Sequence, residues 1–258
     1  MITFFKYQGT GNNFVIIDNR DNSISLTNSQ VKFLCDRKFG IGADGLMLLQ
    51  EKNGYDFEMI YYNADGNIGS MCGNGSRCLT QFAFDQGIKK EKYSFIASDG
   101  DHESFIKENG WIHVKMIDVN NVKNYNEDFV LNTGSPHYVK QVVELDKLDV
   151  FNEGKLVRYN TEFKQNGINV NFVEKINNDT IKVRTYERGV EDETLSCGTG
   201  ITASSLVCFY NDMGFNKINV QAPGGNLAVE FEKIGEHSFE NIWLCGPATF
   251  VFKGEIKV

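Results

Sequence analysis

The sequence predicts a mixed α+β protein built from two similar halves. Short runs of β-branched and aromatic residues recur along the chain and end at turn residues, which is typical of a strand-rich fold. Only 3 prolines against 25 glycines fit many tight turns. Two helix-like apolar runs each begin after a Cys-Gly-x-Gly sequence, at Cys72 and at Cys197. Because a strand, a polar turn, this tetrapeptide and a helix follow one another twice, the order indicates a duplicated domain.

The first half is expected to form a strand meander interrupted by two helices. Alternating or continuous apolar runs predict strands at 14–18, 45–49, 57–62, 94–97, 102–106 and 111–116. The segment 27–37 has helical spacing, with Thr27 or Asn28 as the cap and Val31, Leu34 and Cys35 on one face. A second helix is expected over 77–85.

The second half repeats this series after a polar stretch. Strands are predicted at 129–132, 138–143, 169–173, 181–185, 218–221, 227–231, 242–244 and 249–252, with a helix at 202–210. The segment 118–126, DVNNVKNYN, is poor in apolar residues and is the candidate linker. We therefore expect one domain at 1–117, completed by the last strand at 249–258, and a second at 118–248.

Charge and composition exclude several classes of partner. The chain of 258 residues has 34 acidic and 26 basic side chains, a net charge of −8, so nucleic acid and anionic membranes are poor partners. The N-terminus lacks the pattern of a signal peptide, and we expect a cytoplasmic protein. Its six cysteines should then be thiols, and without clustered cysteines and histidines we expect no metal.

A cysteine directly before a helix is in a position that favours a reactive thiolate. The helix start carries unpaired N–H groups and a partial positive charge, so it holds a carboxylate and stabilises a thiolate. One such copy could equally be a structural cap. Two copies on equivalent domains predict two thiols at one cleft, with both helix starts turned to one carboxylate. That set of groups suits removal and return of an α-proton without a cofactor, which is racemisation or epimerisation.

The sequence contains neither a complete dinucleotide-binding fingerprint nor a phosphate-binding loop motif. The segment GTGNNF at 9–14 lacks the third glycine of a dinucleotide-binding fingerprint and precedes a strand. No phosphate-binding GK[ST] sequence occurs in the chain. We therefore expect a small-molecule enzyme that needs no cofactor.

Six segments carry a resemblance to a known family: GTGNNFVIIDN at 9–19, GIGADGL at 40–46, YNADGNIGSMCGNGSRC at 62–78, TGSPHYV at 133–139, YERGVEDETLSCGTG at 186–200 and APGGNL at 222–227. In order and spacing the chain resembles the diaminopimelate epimerases over nearly its whole length. The resemblance implies interconversion of LL- and meso-diaminopimelate, in lysine and peptidoglycan precursor synthesis. It also implies two domains, each a sheet curled around a central helix, a cleft that closes on substrate, and a homodimer.

The resemblance assigns roles residue by residue. Cys72 and Cys197 match the two catalytic cysteines. The groups that match the helix starts around the reacting carboxylate are Gly73, Asn74, Gly198 and Thr199. The groups that match the distal amino acid end of the substrate are Asn12, Asn63, Asn169 and Arg188, with Glu187 beside them. His137 and Glu187 match polar residues near the thiols. A buried arginine suits a carboxylate through its planar fork, which is the role expected of Arg188.

Three departures from the family pattern concern contacts and leave the chemistry intact. Ser135 stands where many members have asparagine, so its contact with substrate should be weaker or water-mediated. Asn13 stands where many have aspartate. The loop between Glu187 and Cys197 is one residue longer, and we interpret its acidic residues 191–193 as a solvated loop.

Alternative functions remain open at this point. A proline racemase would also use paired thiols, but it has no distal amino acid end for the asparagines and arginine to hold. Isomerases of phenazine synthesis do not need both cysteines. A non-catalytic redox thiol protein would exchange no substrate proton. Cys35, Cys78, Cys208 and Cys245 are expected to be structural thiols.

Overall fold

The computed structural model describes residues 1–208 and 212–258. Its elements from the N-terminus are β1 (Ile2–Gly9), β2 (Asn12–Asp18), α1 (Asn28–Cys35), β3 (Gly45–Gln50), β4 (Phe57–Asn63), α2 (Gly73–Asp85), β5 (Tyr93–Ala97), β6 (Gly100–Ile106), β7 (Ile112–Lys115), β8 (Val122–Tyr125) and β9 (Asp128–Asn132). They continue with β10 (Pro136–Gln141), a 3-10 turn (Leu145–Lys147), α3 (Val150–Arg158), β11 (Asn169–Lys175), β12 (Thr180–Glu187), β13 (Asp192–Thr194), α4 (Gly198–Val207), β14 (Gly214–Ala222), β15 (Gly225–Gly235), β16 (Ser238–Gly246) and β17 (Thr249–Ile256).

The chain divides into two compact units. Unit 1 comprises Met1–Val114 and Gly246–Val258, and unit 2 comprises Lys115–Cys245. In unit 1, β1 pairs antiparallel with β2 and with β17, so the last strand joins the first. The β2–β3 and β4–β5 pairs are parallel, whereas β3–β4, β5–β6 and β6–β7 are antiparallel.

Unit 2 repeats this pairing scheme. The β10–β11 and β12–β14 pairs are parallel, and β9–β10, β11–β12, β14–β15 and β15–β16 are antiparallel. The strand β8 pairs with β9 as β17 pairs with β1 in unit 1. The predicted α+β class with two similar, mostly antiparallel units is confirmed.

One helix lies at the centre of each unit. Ten of the thirteen residues of α2 are buried, including the whole run 73–80. It contacts β1, β2, β3, β6 and β17, so the sheet wraps around it. Eight of the ten residues of α4 are buried, and it contacts β9, β10, β11, β12, β14 and β15. A helix that is buried on all sides is a core element, and both helices meet this description.

The first helix confirms its predicted cap and buried face. The Thr27 hydroxyl accepts from the backbone N–H of Gln30, and the Gln30 side chain accepts from the N–H of Thr27, a complete capping box. Its buried residues are Val31, Leu34 and Cys35, as expected. The predicted helix 202–210 begins earlier, at Gly198, and its expected end lies partly outside the described residues.

Two expectations about chain segments are wrong. The candidate linker at 118–126 contains β8 and belongs to unit 2, because Val119 and Val122 are buried and Val119 bridges to Phe239. The acidic stretch 191–193 is not simply solvated. Its β13 residues pair with the end of β12, and the Glu193 carboxylate accepts from two nitrogens of Arg184, each at 2.7 Å.

Within residues 1–208 and 212–258, none of the helices is both long enough and apolar enough to cross a bilayer.

Candidate active site

Cys72 occupies the N-cap of α2 in unit 1. Its backbone is extended, with φ −111° and ψ 119°, and its side chain makes no capping hydrogen bond. The first helical bond runs from the Ser76 N–H to the Cys72 carbonyl at 2.7 Å, so residues 73–75 lie ahead of the regular hydrogen-bond ladder. The thiol packs against the apolar core cluster that contains Phe14 and Met47. The sulfur therefore sits at the positive end of a helix, on an apolar base.

Asn12 reaches this thiol from the start of β2. Its Nδ2 donates to the Asp44 carboxylate at 2.9 Å, which leaves Oδ1 turned to the helix. That oxygen lies 3.7 Å from the Cys72 sulfur and 3.5 Å from Asn74 Nδ2. The structure thus brings three predicted site residues of unit 1 together.

The contacts of Asn13 show why an amide fits at a position where many family members have aspartate. Its backbone N–H and its side-chain Nδ2 both donate to the Asp44 carboxylate at 2.8 Å. An aspartate at 13 would turn a second carboxylate toward Asp44, whereas the amide supplies a donor. This carboxylate also receives a bond from Arg37 at 2.6 Å.

Asn63 lies at the end of β4, where the chain turns. Its backbone N–H donates to the carbonyl of Asn67 and its carbonyl accepts from Gly66, both at 2.9 Å. Its side chain is exposed. The turn therefore fixes the backbone of Asn63, while its exposed side chain lies outside the core and can contact a ligand.

Arg77 is a residue of this half-site that sequence reasoning missed. Its side chain is fully buried in α2, one turn after the cysteine cap. The guanidinium donates to Asn74 Oδ1 at 2.9 Å, to the Thr10 hydroxyl at 3.0 Å and to the Pro247 carbonyl at 3.3 Å. These bonds orient Asn74, so that its Nδ2 faces Asn12. In the sequence Arg77 is the first residue of the expected helix 77–85, and no local pattern there indicates that its side chain is buried.

Cys197 occupies the equivalent N-cap of α4 in unit 2. Its φ of −114° and ψ of 107° nearly equal those of Cys72, and again the side chain makes no capping bond. The residue is 8% exposed, and its sulfur lies 3.5 Å from the Thr199 hydroxyl. The Thr199 carbonyl accepts from Thr133 at 2.8 Å, which fixes the first turn of the helix to the preceding loop. The two cysteines therefore share one local geometry.

Asn169, Ser135 and Arg188 form a second cluster in unit 2. Asn169 Nδ2 donates to the Ser135 hydroxyl at 3.0 Å, and its Oδ1 accepts from the Arg188 N–H at 2.9 Å. An Arg188 nitrogen also lies 3.3 Å from the Ser135 hydroxyl, and another donates to the carbonyl of Asn166. Ser135 thus links two predicted binding residues. The expectation of a buried arginine is wrong, because Arg188 is exposed.

Glu187 is the last residue of β12, beside this cluster. Its Oε2 accepts from the Thr194 hydroxyl at 2.7 Å, and its backbone carbonyl accepts from the Glu191 N–H. The longer loop is therefore folded back on the strand that carries Glu187.

His137 is fully buried in β10, and burial lowers its pKa from the ordinary 6.5 to about 3, with a smaller contribution from the charge of Arg188. Its Nδ1 lies 3.1 Å from Asn171 Nδ2. Its Nε2 is buried without a hydrogen-bond partner among the described residues. The imidazole is therefore neutral at physiological pH.

The four other cysteines differ from the two at helix starts. Burial raises the pKa of Cys35 to about 11 and that of Cys78 to about 12, and it raises the pKa of Cys208 still further. All four are buried free thiols, as a structural role requires. The prediction that they belong to the core is confirmed.

The family model for diaminopimelate epimerase matches residues 4–122 and 129–251. The chain belongs to the diaminopimelate epimerase family. It is 48% identical to a diaminopimelate epimerase of Flavobacterium psychrophilum, over 98% of this chain and 99% of that protein. It is 41% identical to one of Chlorobaculum tepidum, over 97% and 99% of the two chains.

Solved structures show that this family fold extends to distant proteins. A phenazine biosynthesis protein of the PhzF family from Bacillus anthracis superposes with a TM-score of 0.76 at 15% identity, covering 100% of this chain and 99% of that one. A hydroxyproline epimerase from Agrobacterium vitis gives a TM-score of 0.67 at 12% identity, covering 99% and 90%. At such identities the likeness establishes the fold alone.

Proposed function

We propose that this protein interconverts LL- and meso-diaminopimelate with two thiols and no cofactor. The observation that carries the proposal is the repeated helix start, in which Cys72 and Cys197 have the same backbone conformation at the N-caps of two buried helices. Membership of the diaminopimelate epimerase family supports the choice of substrate. The product is a precursor of lysine and of peptidoglycan.

The reaction is a transfer of two protons at one carbon. The thiolate of one cysteine removes the α-proton, so the C–H bond breaks and its electron pair moves toward the carboxylate. The thiol of the other cysteine then donates its proton to the opposite face of the same carbon. One sulfur gains the proton that the carbon loses, and the other becomes the thiolate, so the enzyme is ready for the reverse reaction.

The two helix starts supply the electrostatic part of the mechanism. Charge that develops on the reacting carboxylate is stabilised by N–H groups at the start of a helix. The same partial charge favours the thiolate form of a cysteine at the cap. We assign this role to the first turns of α2 and α4, at Gly73, Asn74, Gly198 and Thr199.

The distal amino acid end of the substrate needs its own contacts. We assign it to Asn12, Asn63, Asn169 and Arg188, with Glu187 beside them, and we assign a supporting role to Ser135 and His137. The hydrogen bonds that connect Ser135, Asn169 and Arg188 support a preformed subsite. Binding energy at that end orients the reacting carbon.

We further propose a first domain at 1–117 completed by 249–258, a second domain at 118–248, a cytoplasmic location and a homodimer. Six free thiols suit a reducing compartment.

In β17, Phe250, Val251 and Phe252 are 48%, 51% and 44% exposed, a run of apolar side chains that a second copy of the chain could cover. Light scattering after size exclusion tests the dimer, with Val251→Lys as the variant expected to shift it toward monomer.

The test of the activity is α-proton exchange. Reduced protein is incubated with LL-diaminopimelate in D₂O without added cofactor or metal, deuterium incorporation is followed by NMR, and stereochemistry by chiral chromatography. We expect meso product with deuterium at one α-carbon and a rate unchanged by EDTA. Folded, reduced protein that exchanges no proton of diaminopimelate would exclude this substrate, and exchange of proline instead would favour a proline racemase.

Replacing either helix-start cysteine tests the two-thiol mechanism. We expect Cys72→Ala and Cys197→Ala each to reduce kcat for epimerisation by at least about 10²-fold, because an aligned acid or base contributes roughly that much or more. The matched control is Cys78→Ala, which removes a buried thiol from the same helix as Cys72 and should leave kcat unchanged. Full activity in either helix-start variant would rule out a mechanism with two thiols.

A further inference from the structure

The two half-sites differ behind their cysteine helices. Strand register makes Phe14, Met47 and Tyr61 of unit 1 equivalent to His137, Asn171 and Thr185 of unit 2: Phe14 and His137 are opposite Gly45 and Asn169, and Met47 and Asn171 lie two residues further on, opposite Tyr61 and Thr185. The unit 1 set is an apolar layer, in which Phe14 and Tyr61 make an edge contact at 6.1 Å. The unit 2 set is a hydrogen-bonded layer.

The orientation of the Asn171 amide is fixed by its neighbours. Its Nδ2 lies 3.0 Å from the Tyr138 carbonyl, which can only accept, so the atom there is the NH₂ group. Its Oδ1 accepts from the Thr185 hydroxyl at 2.9 Å. The second hydrogen of Nδ2 is therefore directed to His137 Nδ1, at 3.1 Å.

This bond determines which nitrogen of His137 carries the proton. Because Nδ1 accepts from Asn171, the neutral imidazole must be protonated on Nε2. The Nε2–H group is fully buried and has no partner among the described residues. A buried donor left in this state is costly in a fold that needs it only for packing, so it points to a role with a ligand or with the site.

The donor lies at the first turn of the Cys197 helix. A Cβ atom built on Gly200, three residues after Cys197, would be 3.3 Å from His137 Cε1 and 2.2 Å from Asn171 Oδ1. Cε1 is bonded to both ring nitrogens, so the Nε2–H group is beside this turn. The equivalent Gly75 faces the sulfur of Met47 at 3.2 Å.

We propose that Asn171, held by Thr185, is a positioning residue that keeps His137 in the tautomer protonated on Nε2, and so gives the Cys197 half-site an imidazole donor at the position where the Cys72 half-site has Phe14. The functional part of this inference rests on the proposed epimerase activity. The two thiols are then unequal, one backed by an apolar layer and the other by an oriented imidazole.

The test is the tautomer of His137 together with the kinetics. In protein labelled with ¹⁵N-histidine, the His137 signals are assigned by their loss in His137→Gln, and the one-bond N–H coupling shows which nitrogen is protonated. We expect the coupling at Nε2 in the wild type. In Asn171→Asp the carboxylate can only accept, so we expect a proton on Nδ1 and a fall in kcat of about 10²-fold with KM nearly unchanged.

A control separates this effect from loss of stability. Asn19 is also a fully buried asparagine, but it lies in unit 1 and bonds the backbone of Ile24. Asn19→Asp should leave the His137 tautomer and kcat unchanged. Thr185→Val removes the hydroxyl that holds Asn171 and should lower kcat to an intermediate value.

Different outcomes test the role of Asn171 and the proposed epimerase activity. An Asn171→Asp protein that retains Nε2 protonation, or one that changes tautomer with unchanged kcat, overturns the inference. A wild type without epimerase activity refutes the proposed function, and the spectra still decide whether Asn171 sets the tautomer.

Discussion

The exposed guanidinium of Arg188 leads to a prediction about how the substrate is bound. Two of its nitrogens contact Ser135 and the Asn166 carbonyl, and its exposed guanidinium keeps further donors for a carboxylate. We expect Arg188→Lys to raise KM for diaminopimelate by about tenfold or more, because a lysine cannot reproduce the planar fork and one charge-assisted hydrogen bond is worth about 1.5–3 kcal/mol. Steady-state kinetics measure this.

The control for this variant is a second arginine with a different role. Arg20 pairs with Asp18 at the end of β2, so Arg20→Lys makes the same chemical change in unit 1 and should leave KM unaltered. An Arg188→Lys enzyme with wild-type KM would remove this residue from the distal subsite.

Residues with a motif around them could be predicted from the sequence, and residues defined by distant contacts could not. Cys72 and Cys197 were apparent because a cysteine and two glycines before a helix form a local pattern. Arg77 depends on the Pro247 carbonyl, 170 residues away, and Asn171 depends on a histidine 34 residues earlier. No local pattern reports such partners, so both residues emerged only from the structure.

The helices α4 and α2 differ in the space around Gly200 and Gly75 for an added Cβ atom. At Gly200 an added Cβ would be 2.2 Å from Asn171 Oδ1, and that amide is held by Thr185 and by the Tyr138 carbonyl. At Gly75 the nearest atom is the Met47 sulfur at 3.2 Å, at the flexible end of a side chain that can move. The same glycine-to-alanine substitution should therefore be destabilising at Gly200 and tolerated at Gly75.

We expect Gly200→Ala to lower the thermal midpoint and kcat, and Gly75→Ala to leave the midpoint within a few degrees of wild type. Alanine favours a helix by about 1 kcal/mol over glycine, which offsets a small displacement of Met47 but not a clash with a fixed amide. Differential scanning fluorimetry and kinetics on the pair measure both effects. Equal loss in the two variants would contradict the contrast between a polar and an apolar layer.

Elements with clear periodicity could be predicted, and elements with few buried apolar residues could not. The strand β3 is apolar along most of its length, and β11 contains the buried apolar residues Val170, Phe172 and Val173. In contrast, β8 has Val122 as its single buried residue, so its sequence predicts a linker. The helix α3 was missed because its buried face consists of Val150 and of Gly154, whose missing side chain admits Tyr186.

Duplication determines the fold of the whole molecule, but it does not make the two units identical in chemistry. Both units share strand pairing, the central helix and the cysteine cap, which is why the repeated order in the sequence was sufficient to predict the class. The domain boundaries at 117, 118 and 248 stay predictions. One chemical difference between the units lies in three positions per unit, where unit 2 has His137, Asn171 and Thr185 in place of an apolar layer.

That replacement should make the stability of unit 2 depend on pH. The pKa of His137 is about 3 in the folded protein against the ordinary 6.5, because burial opposes the charged form. Below pH 6.5 the unfolded chain therefore binds a proton that the folded chain does not, and the free energy of unfolding falls as the pH is lowered from 6.5 toward 3. Carboxylates with lowered pKa values, such as Asp99 and Glu191, act in the same direction but only near and below pH 4.

Between pH 6.5 and 5, comparison with His137→Gln isolates the contribution of this histidine. We expect the free energy of unfolding of unit 2 to fall by about 1.5 kcal/mol more in a protein with His137 than in His137→Gln, because glutamine does not titrate. Each unit contains one tryptophan, so a Trp111→Phe background leaves Trp243 fluorescence as the report of unit 2 during urea unfolding. If both proteins lose the same stability between these pH values, the imidazole is not held neutral by its surroundings, and its assignment as a buried Nε2–H donor fails with it.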